Sequence, residues 1–376
     1  MNVINARADA MTAFLADAGW GTAERHPLPG DASTRRYIRL RLGERTAMLM
    51  DQPQTAEAPV AGPNATAQER QALGYNALAR LAGADCGRFV AAARYLRGRG
   101  LAAPDIYAAD TQAGFLLIED LGDDLYTDVL DGGGDERALY EAAIDALVLL
   151  HAEAAPAALA GDKPLFAYDE TAQLAEVDLL TEWFLPAALG RPVRPAEAEE
   201  HRALWRTALT ALDGGAVVFV HRDYHAQNLL WRGGRSGLAR VGVIDFQDAL
   251  AGSPAYDLIS LLEDARRDVA PELALAMTRR YLERAQVNGS PVEAEGFRAS
   301  AALLAAQRNA KIIGIFARLA KRDKKPRYLA HLPRVWRYME HDLQHPKLAS
   351  LKHWYDRVIP KEARGALTLD VAGATA

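Results

Sequence analysis

The sequence predicts an α+β chain in two lobes, a small one built on an antiparallel sheet and a large one that is mostly helical. Three observations predict this. Residues 20–120 hold several short apolar runs, period-two where they alternate, separated by Gly- and Pro-containing turns. Beyond Gly122 the apolar residues recur at three- and four-residue spacing for most of the chain. Only two short apolar runs, one before HRDYHAQN and one in VGVIDF, interrupt that helical part. The length of 376 residues suits about two domains. The expected division is a lobe over 1–118, a connection over 119–122, and a helical lobe over 123–376.

The elements follow in order. Residues 8–19 place Met11, Phe14, Leu15 and Ala18 on one helical face. LPGDASTRRYIRLRLG reads as turn, strand, turn, and ERTAMLMDQP as a second strand stopped by Pro53. TAEAPVAGPNAT is loop, and a helix is expected from Gln68 to Leu81. PDIYAADTQAGFLLIED forms a strand hairpin turning between Thr111 and Gly114. In DERALYEAAIDALVLLHAEAA, Leu139, Ala143 and Leu147 recur four apart beside Tyr140, Ile144 and Val148, which is a buried helix face.

Composition excludes several classes. Half of the residues are hydrophobic and the net charge is −5, so there is a large core and no general basic field for nucleic acid. One cysteine, Cys86, cannot make an intrachain disulfide or a thiolate zinc set and fits a reducing compartment. Arg7, Asp9 and Asp17 break the apolar pattern at the start, and no run reaches the ~18 residues of a membrane span. A cytoplasmic protein with a small-molecule substrate, no membrane contact and no obligate protein partner is expected.

The chemistry lies in residues 221–228, HRDYHAQN, and in Asp245, which follows the apolar run VGVI. The first segment fits the kinase catalytic-loop pattern H-R-D-x-x-x-x-N. Asp223 would orient an attacking hydroxyl and take its proton. Asn228, on the same loop, and Asp245, at a strand end, would offer hard oxygens to Mg2+ on the phosphates of ATP. An HRD tripeptide alone carries little information; the ordered set of aspartate, asparagine and strand-ending aspartate carries much more.

The whole constellation resembles the aminoglycoside phosphotransferase superfamily, which includes choline and homoserine kinases; His225, where protein kinases usually have lysine, points the same way. The resemblance covers nearly the whole chain and implies a protein-kinase-like fold with ATP and Mg2+. GDASTRRYIRL is similar to the nucleotide-covering loop, which makes Ser33, Thr34, Arg35 and Arg36 cofactor-binding candidates. FLLIEDLGDDLY is similar to the hinge, where main-chain groups of Glu119 and Leu121 would meet adenine. SPAYDL resembles the segment whose aspartate, Asp257, supports the catalytic loop. One departure stands out. The family's phosphate-binding lysine on the third strand is absent, Met50 falls about where it should be, and Glu69 on the following helix lacks its usual partner. Arg35 or Arg36 is the expected substitute.

The acceptor is expected in the helical lobe. QRNAKIIGIFARLAKRDKKPRYLAHLPRVWRY carries many cations and one acid, Asp323. If it faces the cleft, it repels polycations and attracts a carboxylate. Arg308 and Lys311 lie three apart in an otherwise apolar helix and are expected to point into that cleft. This segment, with GDASTRRY, HRDYHAQNLLW and TEWFLP, resembles the kinases of bacterial cell-wall recycling that phosphorylate the anomeric hydroxyl of N-acetylmuramate and N-acetylglucosamine. That resemblance implies an amino sugar substrate and adds Glu182, Trp183 and His225 as sugar contacts. Two readings stay open beside it: another small-molecule kinase, with an acidic or aromatic acceptor pocket, and a nucleotide-binding regulator without catalysis.

Overall fold

The computed structural model describes residues 3–30, 34–54, 58–210, 215–289 and 293–367. The chain divides into two compact units. One comprises residues 1–151, 155–166 and 221–250, the other 152–154, 167–220 and 251–376.

The first unit is organised by an antiparallel five-stranded sheet of order β1-β2-β3-β5-β4. Its strands are β1 (Glu24–Pro27), β2 (Arg36–Leu42), β3 (Arg45–Asp51), β4 (Ile106–Asp110) and β5 (Phe115–Ile118). Strand alternation sends Ala47 and Leu49 of β3 into a core with Leu40, Phe115 and Leu117, against Leu15 of helix α1 (Val3–Asp17) and Trp20. Met48 and Met50 therefore face the opposite side. Arg7 ties α1 to the sheet: its Nε donates to Asp51 Oδ1 (2.8 Å), its Nη1 to the Ala113 carbonyl (3.0 Å), and its guanidinium lies 4.4 Å from the Phe115 ring centroid.

Between β3 and β4 the structure corrects the expected single helix over 68–81. The segment forms α2 (Ala67–Leu73) and α3 (Tyr75–Leu78), broken at Gly74, whose φ of +96° lies in the region glycine favours. A further helix, α4 (Cys86–Gly98), follows; it begins at Asp85, whose carboxylate accepts the Gly87 N–H at 2.9 Å. Helices α5 (Tyr126–Asp131) and α6 (Glu136–Leu150) come next, and α6 buries Leu139, Tyr140, Ala143, Ile144, Leu147 and Val148, the face its spacing predicts. A two-residue pair, β6 (Ala158–Leu159) and β7 (Lys163–Pro164), completes this stretch.

The second unit is nearly all helical: α7 (Glu170–Leu179), a π turn over Leu180–Phe184, α8 (Leu185–Leu189), α9 (Pro195–Leu209), then, after β8 (Val218–Val220), α10 (Ala255–Leu262), α11 (Pro271–Val287), α12 (Ala294–Lys321), α13 (Leu332–Asp342) and α14 (Ala349–Val358). The 28-residue α12 is buried on nearly all sides from Leu303 to Ala320 and is the axis of the core, with Trp205, Trp336, Trp354 and Phe184 packed around it. Its close approach to α7 needs Gly314: a Cβ there would lie 2.3 Å from the Leu179 carbonyl carbon. Among the described residues no helix is long and apolar enough to cross a membrane.

Candidate active site

The last stretch of the first unit is a hairpin. Strands β9 (Leu229–Trp231) and β10 (Val241–Val243) pair antiparallel, with Leu229 opposite Val243. This register places the residues just before β9 beside those just after β10. The segment HRDYHAQN and Asp245 are thereby brought together, although 17 residues of sequence separate Asn228 from Asp245.

The loop is fixed by bonds within it and to its neighbours. The Asp223 N–H donates to His221 Nδ1 at 3.3 Å, which leaves the proton on Nε2 to reach the Ile244 carbonyl at 3.0 Å. Arg222 has φ +80° and Asp245 φ +63°, two non-glycine residues in left-handed backbone at one locus. Such conformations cost on the order of 1–3 kcal/mol each and persist where surrounding bonds hold them. Those bonds are present. Tyr224 Oη donates to the Ala143 carbonyl on α6 (2.9 Å), the Asn228 N–H to the His225 carbonyl (2.8 Å), and the Ile244 N–H to the Asn228 carbonyl (3.1 Å).

Asn228 Nδ2 donates to the Asp223 carbonyl at 2.9 Å and stands 3.5 Å from Asp245 Oδ2. Asp245 Oδ1 accepts from Gln247 Nε2 at 3.0 Å and pairs with Arg35 Nη1 at 3.3 Å. The same Gln247 nitrogen reaches Asp248 Oδ2 at 3.2 Å, and Asp248 Oδ1 accepts the Ala82 N–H at 2.6 Å. Although 43% of the Asp245 side chain remains open to water, crowding by protein raises its pKa. Arg35 opposes that rise, while the nearby Asp223 and Asp248 carboxylates add to it. For Arg35, burial works against the charge, but Tyr37, Asp245 and Asp248 outweigh it and hold the guanidinium still more firmly protonated.

The covering-loop candidates separate clearly. Ser33 lies outside the described residues. Thr34 Oγ1 accepts from Gln52 Nε2 at 3.0 Å, which ties the loop to the end of β3. Arg35 turns to Asp245, whereas Arg36, the next residue, is exposed. Met50 is 1% exposed, an apolar residue where a lysine was looked for. Glu69 does something other than expected: it is the third residue of α2 and closes a capping box, accepting the Thr66 N–H (2.8 Å) while its own N–H donates to Thr66 Oγ1 (3.2 Å). Bonding to Thr66 pulls its pKa down, and the carboxylate is engaged at the surface as a helix cap. In the 119–122 stretch, the Glu119 N–H donates to the Asp105 carbonyl (2.8 Å) and its carboxylate pairs with Arg232 (3.1 Å). Of Glu119's main-chain groups, its carbonyl is the one left to meet a base. Leu121 follows Asp120, which Arg39 Nε holds at 2.7 Å.

Residues that the sequence reading missed complete this geometry. Gln247 and Asp248 lie in IDFQDA, two and three positions after Asp245, which was already singled out. Helix α4 backs that segment: Phe89 packs tilted against Phe246 with centroids 4.8 Å apart, and Arg88 Nη2 donates to the Ala249 carbonyl at 3.1 Å.

The remaining candidates lie in the second unit, apart from His225. That residue is 6% exposed, with its Nε2 3.5 Å from Asn228 Nδ2. Glu182 and Trp183 sit on the π turn, a helix irregularity common at functional sites. Glu182 is exposed yet partly desolvated, and that desolvation raises its pKa against the pull of Arg318 and Trp183. Trp183 leans on the core. The expectation for Arg308 and Lys311 is corrected. Both are buried; Arg308 Nη1 donates to the Glu263 carbonyl (3.1 Å), and Lys311 Nζ pairs with the fully buried Glu176 (3.1 Å) and donates to Tyr256 Oη (3.3 Å). Their charges are met inside the helical unit, because a cation that deep must be paired. The basic stretch after them is also partly neutralised, by Asp323 on Arg322 and by Asp268 on Arg334 and Arg337.

A model of the phosphotransferase enzyme family matches residues 24–297. The chain belongs to that family. This phosphotransferase is 44% identical to an N-acetylmuramate/N-acetylglucosamine kinase of Caulobacter vibrioides over 97% of this chain and 100% of that protein. It is 37% identical to a protein of the same name from Pseudomonas aeruginosa, over 90% of each. Its fold is similar to the crystal structure of a choline/ethanolamine kinase family protein from Mesorhizobium loti, with a TM-score of 0.54, 14% identity, and 93% and 98% of the two chains covered. The fold is thus of the protein-kinase-like α+β class, and the phosphotransferase is an ATP-dependent kinase that works with a divalent cation.

The donor set suits such a cation. Among the described residues no three His, Cys, Asp or Glu side chains gather into a self-sufficient metal site. A small hard cation that keeps water and phosphate oxygens as ligands needs only one or two protein oxygens. Asp245, held in its left-handed conformation, and the Asn228 amide beside it could supply them.

Proposed function

We propose that this phosphotransferase is an N-acetylmuramate/N-acetylglucosamine kinase that moves the γ-phosphoryl group of ATP to the anomeric hydroxyl, as in peptidoglycan recycling in the cytoplasm. The observation that carries the reading is the 44% identity to a kinase of that name over 97% of this chain and 100% of that protein. Charge in the helical unit does not carry it, since Arg308 and Lys311 are already paired.

Asp223 orients the anomeric hydroxyl and takes its proton as the sugar oxygen bonds to phosphorus and the bond to the ADP oxygen breaks. The products are the sugar 1-phosphate and ADP. The anomeric hydroxyl is more acidic than an ordinary alcohol, so a carboxylate is an adequate base. Asn228 and Asp245 would hold Mg2+, which would neutralise phosphate charge. Arg35 supplies the cation that the third strand lacks. The Glu119 carbonyl and the Leu121 N–H meet adenine, and Glu182, Trp183 and His225 are assigned to the sugar.

Phosphorus NMR of the protein with ATP, Mg2+ and either sugar, beside kanamycin, tests this. A sugar 1-phosphate resonance is expected with both sugars, with kcat lowered at least about 1,000-fold in Asp223→Asn. Phosphorylated kanamycin in place of sugar 1-phosphate would refute the substrate.

A further inference from the structure

Both oxygens of the Asp245 carboxylate are already engaged. Oδ1 takes Gln247 Nε2 at 3.0 Å and Arg35 Nη1 at 3.3 Å, and Oδ2 faces Asn228 Nδ2 at 3.5 Å. Arg35 is no passing surface cation. Its side chain is 14% exposed, and the charges around it are Asp245, Asp248 and the Tyr37 side chain. A single guanidinium thus serves as counter-ion to the carboxylates that would receive a metal.

We propose that Arg35 is a removable counter-ion: it holds Asp245 until a metal–nucleotide complex arrives, so that the free divalent cation does not load by itself. The inference rests on the reading of Asn228 and Asp245 as metal ligands and of Arg35 as the phosphate cation. Its logic is charge balance. A bare divalent cation approaching Asp245 meets Arg35 at the same oxygen and is repelled. A divalent cation on a nucleoside triphosphate carries net negative charge, so its phosphates give Arg35 a new anionic partner. Arg35 then exchanges Asp245 for phosphate, and Asn228 turns its amide oxygen, not its nitrogen, towards the cation. The lysine of related kinases sits on a strand. Here the cation sits on a loop before β2, where it can travel between the two partners.

The test is direct binding of Mn2+ to the full chain, read by electron paramagnetic resonance, with and without β,γ-methylene ATP. Wild type, Arg35→Gln, Arg35→Lys and Asp245→Asn are compared after circular dichroism shows native helix content. Wild type is expected to bind Mn2+ weakly alone and at least tenfold more tightly with the nucleotide. Arg35→Gln is expected to bind free Mn2+ at least tenfold more tightly than wild type and to gain less from the nucleotide. Arg35→Lys keeps the charge and is expected to keep the weak binding, which separates electrostatics from shape. If Arg35→Gln binds free Mn2+ no better than wild type, the counter-ion role is wrong while the metal site stands. If Asp245→Asn binds Mn2+ with nucleotide as well as wild type does, the metal assignment fails, and the proposal with it.

Discussion

Replacing Gly314 by alanine tests how the π turn is held. Gly314 lies within α12, where that helix crosses the end of α7. A Cβ at this position would stand 2.3 Å from the Leu179 carbonyl carbon and 2.6 Å from its carbonyl oxygen. Those are backbone atoms in the last turn of a helix and cannot swing aside as a side-chain tip can. Alanine improves helix propensity over glycine by about 1 kcal/mol. Overpacking costs up to about 3 kcal/mol, and relief here would need α12 to move within a core that buries Ile313 and Phe316 on either side of it. The balance is a loss of about 2 kcal/mol, or about 4–8 °C in unfolding temperature at roughly 2–4 °C per kcal/mol. Leu179 directly precedes the turn bearing Glu182 and Trp183, so the KM for sugar should rise while that for ATP stays within about twofold. Thermal unfolding by circular dichroism and initial rates on both substrates would settle it. A variant that unfolds at or above the wild-type temperature would refute the close approach of α12 to Leu179.

Further predictions follow from named contacts. Asp223→Asn should lower kcat for sugar phosphorylation as stated above, with unfolding temperature little changed, because the bonds joining Asp223 to His221 and Asn228 use its main-chain N–H and carbonyl. Glu69→Ala should lower the unfolding temperature slightly through loss of the capping box and leave the KM for ATP unaltered; a large rise in that KM would restore Glu69 to the nucleotide site. His201 is wholly buried, accepts from Trp205 Nε1 at 3.0 Å, and burial lowers its pKa to about 3. The unfolded chain takes up that proton below about 6.5, so stability present above this pH drains as pH falls towards 3, by about 2 kcal/mol at pH 5. Urea unfolding from pH 8 to 5 should show the slope, and His201→Phe should flatten it. Asp342 and Glu263 share Asn309 Nδ2 at 3.0 and 2.9 Å. Burial raises both carboxyls, and Glu263 raises Asp342 further, while the bond from Asp342 works against the rise at Glu263. A raised carboxyl contributes stability at acid pH and loses it as pH rises past its unfolded value. Asp342→Asn should therefore gain on wild type as pH climbs from 4 to 8, in the same urea experiment.

Much of this was legible in the sequence because the relevant signals are local. The strands β2 and β3, the turn at Thr111–Gly114 and the buried face of α6 follow from local pattern alone. The loop HRDYHAQN and Asp245 announce themselves by spacing. What periodicity could not supply was partnership. Helix α4 buries a run of alanines together with Arg88, whose donors reach the carbonyls of Arg80 and of the distant Ala249, so its pattern does not read as amphipathic. Arg308 and Lys311 have the right spacing for one face, but spacing cannot say that Glu176 and the Glu263 carbonyl await them there. Glu69 was read through its expected partner, although Thr66, three residues before it, is the plain signature of a capping box. Choosing Arg35 over Arg36 needed the strand's alternation to be anchored in space, which only the fold does.

The pairing of Arg35 with Asp245, 210 positions apart, has a consequence for how the protein is born. The first unit draws its last stretch from residues 221–250, after the chain has laid down residues 167–220 of the other unit. At about 5–20 residues per second, translation needs roughly 5–20 s to go from the end of the first long stretch to the end of the last. During that interval the nascent five-stranded sheet leaves the ribosome without β9, β10 or the Phe246 ring that α4 packs against. The nucleotide machinery thus cannot mature co-translationally in the order in which it is encoded. Stalling synthesis near residue 200 should yield a nascent chain open to proteolysis at α4, and stalling some 40 residues beyond Leu250 a protected one.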